Sequence, residues 1–335
     1  MNQTKQLTKS FDKSLSKRKE KYIILLVSLV SAFVFFTMEN WVWFYGYIVG
    51  KTLQINGYVF EPWMFEQKIP IVPAFYYIYF IAIPFWIFGF MGIYYFKGAK
   101  SCYKTLGISA LAFSLTAIIY TVAPTSAGNL AACGWKQIDG KQGFTYDKIR
   151  ILWDSGVYLS ACPSQHCSCS ILIALAFLGG RDDKSFSKKN EWWRLLITSL
   201  VWIFALLVCL STFLLKQHFF IDWLVSFGLC LLCWILCEKY PKINIYNKIY
   251  AWLFSNLFAY CGMNEKGVQG IIAPIAKNKV FENINKYSKK QRIWINIGYN
   301  AFIYLLLGIM MLTWILTIIF SKGVKPEPWP PTQIV

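Results

Sequence analysis

Ser211-Thr212-Phe213-Leu214-Leu215-Lys216-Gln217-His218-Phe219-Phe220-Ile221-Asp222 lies inside a stretch, 195–237, that is otherwise almost wholly apolar. As one helix it would run about 65 Å, roughly twice the hydrocarbon thickness of a bilayer. Lys216-Gln217-His218 is its only strongly polar interruption, so the chain reverses there and the stretch reads as two spans. His218 and Asp222 then open the second of them. Four apart on a helix, they share one face, where a carboxylate fixes the tautomer and orientation of an imidazole. Such a pair makes a nucleophile or a base.

The other histidine of the chain lies about fifty residues earlier, in Cys162-Pro163-Ser164-Gln165-His166-Cys167. Ionisable groups at membrane depth are costly and mark sites, and here both histidines sit in polar clusters between apolar runs. Pro163 is suited to be a first helical residue, which leaves the N–H groups of Ser164, Gln165 and His166 as an anion cradle at a positive helix end. The start of the later span offers the same dipole, with Lys216 beside it. Phosphate fits this arrangement: one histidine activated by Asp222 attacks phosphorus while the other protonates the leaving oxygen. The rival is zinc, since Cys162, Cys167 and Cys169 lie near His166. Cys167 and Cys169 fall on different helix faces, however, and no pair has a structural-zinc spacing, so neither metal nor cofactor is expected. Cys230, Cys233 and Cys237 form one helix face and read as small-residue packing.

Composition agrees with a membrane protein. Hydrophobic residues make up 56%, aromatic 19% and charged 15%, which excludes a soluble domain of this length. The net charge of +18 is carried by short segments between apolar runs, which excludes nucleic acid as the partner it serves. Size and hydropathy also exclude a small disulfide scaffold. The expected architecture is an all-α polytopic bundle: a basic cytoplasmic tail (1–21), a six-span core (22–238), a basic cytoplasmic segment with an interfacial helix (239–296), a seventh span (297–320) and a Pro-rich extracytoplasmic tail (321–335). Within the core, spans are expected at 22–45, 71–96, 105–122 and 158–178 before the pair at 195–237, with a polar loop over 124–156.

Charge asymmetry orients the bundle. Residues 1–21, 97–104, 181–194 and 239–292 hold 25 of the 34 Lys and Arg residues, and placing them in the cytoplasm follows the positive-inside rule. Both histidine clusters then lie at the extracytoplasmic ends of their spans.

Pro163-Ser164-Gln165-His166 resembles the Pro-Ser-Gly-His signature of the type 2 phosphatidic acid phosphatase superfamily. Ser211-x6-His218-x3-Asp222 resembles its Ser-Arg-x5-His-x3-Asp signature, in the form of a bacterial branch with Thr212 in place of Arg and Lys-Gln before the histidine. The resemblance covers roughly residues 105–238 and implies a six-helix membrane core. It implies that His218 is the nucleophile that becomes phosphohistidine, Asp222 orients it, and His166 is the acid for the leaving group. Ser164, Gln165, Lys216 and Ser211 would contact the phosphate. The implied activity is metal-independent hydrolysis of a lipid phosphate monoester or diphosphate, phosphatidate-like or prenyl. Related sphingomyelin synthases imply the alternative of head-group transfer between lipids, and loss of catalysis with retained lipid binding is a third. The chain departs from the family in lacking its Lys-x6-Arg-Pro signature: Val122-Ala123-Pro124-Thr125-Ser126-Ala127-Gly128 holds no basic residue. Lys136, Lys148 and Arg150 are the loop cations that can replace it.

Overall fold

The computed structural model describes residues 64–97, 99–123, 125–155, 161–178 and 191–240, with 58–59 and the helical positions 34–35, 37–38 and 41–42. The basic tail, most of the first span, nearly all of 239–296, the seventh span and the Pro-rich tail lie outside these residues. Helix α1 is Met64–Lys68, α2 Phe75–Lys97 and α3 Ala99–Val122. Strand β1 (Tyr58–Val59) pairs in parallel with β2 (Thr125–Ser126). Then follow α4 (Gly128–Ile138), α5 (Phe144–Ser155), α6 (Gln165–Phe177), α7 (Glu191–Leu214) and α8 (Phe220–Lys239).

Helices α2, α3, α7 and α8 are long and apolar enough to cross a membrane. Their outward faces carry large exposed apolar side chains, among them Phe80, Phe88, Leu200, Ile203, Leu224 and Leu232. So extensive an apolar surface is unfavourable in water and suits hydrocarbon. The reversal in 195–237 falls where its polar residues stand, between Leu214 and Phe220.

Two expectations change. The fourth span is shorter than 158–178: α6 begins only at Gln165, because Ser164 caps it, and its 13 residues extend about 20 Å. Every residue of α6 except His166 is buried, so it is the centre of the bundle. Trp86 and Phe90 of α2, Phe113 of α3, Cys209 of α7, and Cys230 and Cys233 of α8 share its core. Phe35, from the described part of the first span, adds its ring 4.5 Å from Phe90. Second, the expected loop 124–156 contains the helices α4 and α5. Their apolar positions recur at helical spacing, Leu130, Ala131, Gly134 and Ile138 on α4, and Ile149 and Trp153 on α5. A composition rich in Gly, Lys and Asp hides that period.

Lys104 pairs with Glu238, which ties the start of α3 to the end of α8. The opposite end of the bundle gathers the end of α3 and the starts of α6 and α8.

Candidate active site

The turn before α6 is held from several sides. Thr125 of β2 accepts from the N–H of Cys162 through Oγ1 (2.7 Å) and from that of Ala161 through its carbonyl (3.2 Å). From α3, Tyr120 donates its hydroxyl to the Pro163 carbonyl (2.6 Å), and from α8 Ser226 donates to the Ser164 carbonyl (3.0 Å). Residues from three distant segments thus fix one short loop. Pro163 therefore precedes the helix instead of opening it, and Ser164 is the N-cap, its Oγ accepting from Cys167 N–H at 3.4 Å. The Ser164 N–H, expected in the anion cradle, faces the Asp222 carbonyl at 3.5 Å. Gln165 and His166 occupy the first two helical positions, where N–H groups have no intrahelical acceptor.

His218 stands just before α8, not on it, so its pairing with Asp222 is made differently from a shared helix face. Asp222 is the third residue of α8 and reaches back to accept from the Phe219 N–H at 2.9 Å, as an N3 carboxylate does. The same oxygen, Oδ2, lies 3.4 Å from His218 Nδ1. Nδ1 also faces the Ala161 carbonyl at 2.9 Å. Two acceptors on Nδ1 fix the proton there and leave Nε2 as the basic nitrogen on the far side of the ring. Burial lowers the pKa of His218, but the hydrogen bond and charge of Asp222, helped by Ala161, outweigh it and the net shift is upward. The Cys162 thiol also lies against Asp222, and burial together with that carboxylate holds it protonated.

His166 lies across from His218 with ring centroids 6.4 Å apart. Tyr79 stacks on it at 4.5 Å, and Trp86 meets it edge-on at 5.2 Å while donating Nε1–H to Ser170 Oγ at 2.9 Å. Both histidines are half-buried, each with an edge open. The structure thus brings together His166, His218, Asp222, Ser164 and Gln165.

It places the remaining expected phosphate contacts elsewhere. Ser211 is buried with its hydroxyl on the Val208 carbonyl at 2.6 Å, within its own helix. Lys216 is buried in a left-handed turn (φ 56°), and its ammonium donates to the Glu66 carbonyl. Burial lowers its pKa, with Cys133 and Glu66 opposing the shift. Arg150 binds Asp147 and the carbonyls of Ile138 and Lys141, while Lys148 lies over Phe144. Lys136 is on the exposed side of α4. Of these cations, Lys216 and Arg150 are held by carbonyls, and Arg150 by Asp147 as well.

Sequence reasoning missed Glu66, Tyr79 and Thr125. Glu66 is buried, and its Oε1 accepts from the Phe220 N–H at 2.8 Å, at the start of α8. A carboxylate in the aromatic outer segment 46–70 is the available signal. Tyr79 carries none, being one aromatic among many on α2.

Among the described residues, no three His, Cys, Asp or Glu side chains gather as a metal site would require. No curated protein and no solved structure matches the chain. Residues 130–246 match the family model of the PAP2 superfamily, a stretch that contains His166, His218 and Asp222 and runs from α4 past the end of α8. That family consists of helical membrane proteins of phosphatase type, in accord with the apolar bundle around the site. Over residues 130–246, then, the chain is similar to the PAP2 superfamily, the type 2 phosphatidic acid phosphatases, and that likeness supports a membrane protein with a phosphatase-type function.

Proposed function

We propose that the chain is an integral enzyme of the cell membrane that breaks a phosphoric ester bond of a lipid at the extracytoplasmic face, through a phosphohistidine on His218. The observation that carries this reading is the polarised His218 ring, with Nδ1 held by Ala161 and Asp222 and the His166 ring centred 6.4 Å away. The Nε2 lone pair forms the N–P bond as the P–O bond to the leaving group breaks, and the leaving oxygen takes its proton from His166. Water then gives a proton to His166 and attacks phosphorus, and the N–P electron pair returns to His218. The first-turn N–H groups of Gln165 and His166, at the positive end of α6, support the phosphate oxygens. These residues complete the cycle without a metal, so chelator leaves the rate unchanged.

In hydrolysis of a lipid phosphoric ester, the acceptor for the phosphohistidine is water. Head-group transfer to a second lipid is favoured by the committed state of the nearby cations, which suits a less charged phosphate. Both share the first step, and incubation with a phosphate-labelled lipid tests it. His218→Ala should lose both turnover and trapped label. His166→Ala should slow an alkoxide leaving group by about a hundred- to ten-thousand-fold and a nitrophenolate much less. Label still trapped on His218→Ala would place the nucleophile elsewhere.

A further inference from the structure

The charges around the site carry a statement about its substrate. His218 faces Asp222, so the imidazolium formed in the reaction is already matched by a carboxylate. Lys216 is the cation in the same turn, and its ammonium donates to the Glu66 carbonyl. The Glu66 carboxylate is buried there too and opposes the Lys216 charge, while its Oε1 holds the first N–H of α8. Arg150 binds Asp147 and two carbonyls, and Lys148 and Lys141 lie over Phe144 and Tyr146. Among the described residues, Lys216 and Arg150 are thus committed to protein groups, and what the site offers a phosphate is the start of α6, with about half a positive charge, and two rings. Phosphate dianions normally meet paired guanidinium or ammonium groups, because their desolvation is costly without them.

We infer that the reacting phosphorus carries a single negative charge, and that the substrate class is a lipid phosphodiester instead of a phosphate monoester. This rests on the phosphohistidine reading above. The first step would join Nε2 to phosphorus and release an alcohol protonated by His166. Water or a second alcohol would then release a phosphate monoester or a new diester, with the N–P electron pair returning to His218.

A matched pair of probes tests it: nitrophenyl phosphate bearing a long alkyl chain on the ring, and its methyl ester. They share a leaving group and differ by one methyl and one charge. At neutral pH the full-length protein in detergent should give the higher kcat/KM with the methyl diester. Glu66→Gln keeps an acceptor for the Phe220 N–H and removes the charge that balances Lys216, so the ratio should move toward the monoester by about ten-fold, the size of one added, partly screened charge. A higher kcat/KM for the monoester in the unsubstituted protein overturns the inference. Should Glu66→Gln fail to fold, that wild-type ratio decides alone. Activity that survives His218→Ala on both probes would instead reject the phosphohistidine reading.

Discussion

Asp222 Oδ2 has two partners, the Phe219 N–H at 2.9 Å and His218 Nδ1 at 3.4 Å, so one atom both starts α8 and sets the state of the neighbouring imidazole. The sequence showed that these residues belong together, since a carboxylate and an imidazole between apolar runs have few other reasons to be there. It did not show how they meet, because the reach of an N3 side chain depends on where the helix begins. A pH profile tests the electrostatic half of this arrangement. Burial disfavours the His218 imidazolium, but Asp222 outweighs burial and lifts the pKa above the ordinary value of about 6.5. Attack requires the neutral ring, so kcat/KM should rise with pH through that raised value. The methyl diester probe carries no titrating oxygen and reports His218 without interference. Asp222→Asn removes the largest raising causes, while burial and the Ala161 carbonyl remain, so the rising limb should move to lower pH. The plateau should fall by about a hundred- to ten-thousand-fold, since the developing charge loses its carboxylate and the tautomer is no longer fixed. A limb that stays in place would mean that Asp222 does not control His218.

The turn that carries His218, 215–219, is supported by elements that apolar periodicity alone does not reveal. Trp153 of α5 is buried and donates Nε1–H to the Leu215 carbonyl at 2.8 Å. Gly134 of α4 lies under that ring: a Cβ there would meet two Trp153 ring atoms at 2.7 Å and Lys216 Cβ at 3.3 Å. The absence of a side chain lets α4, α5 and the turn come together. Hydropathy found the reversal between α7 and α8, where a polar triplet interrupts the largely apolar stretch 195–237. It failed on α4 and α5, whose buried stripes are narrow: on α5, Ile149 and Trp153 stand against four charged residues. Gly134→Ala should therefore push Trp153 off Leu215 and cost about 1–3 kcal/mol, as overpacking does. Thermal unfolding in detergent should register that loss, and turnover should fall more than KM rises, since the turn carries His218. Unchanged stability and turnover would mean that Trp153 gives way without consequence and that α5 does not hold the turn.

At the scale of the whole chain, sidedness follows from a division of charge and geometry. Lys97, Lys104 and Lys239 lie at one end of the bundle, where Lys104 pairs with Glu238, and the histidines lie at the other. Segments 1–21, 97–104, 181–194 and 239–292 hold 25 of the 34 Lys and Arg residues, and a charge bias of this size sets orientation during insertion. If the basic end is cytoplasmic, the turn between α4 and α5 faces outward with the site. Lys141 is exposed in that turn, and Lys188 stands in the basic segment between α6 and α7. Single substitutions Lys141→Cys and Lys188→Cys, compared with the unsubstituted chain and its ten cysteines, read this directly. A membrane-impermeant maleimide added to intact cells should label Lys141→Cys above background and leave Lys188→Cys at background. Permeabilisation should then bring Lys188→Cys up. The reverse pattern would turn the bundle over, expose His166 and His218 to the cytoplasm, and limit the enzyme to lipid phosphates of the inner leaflet.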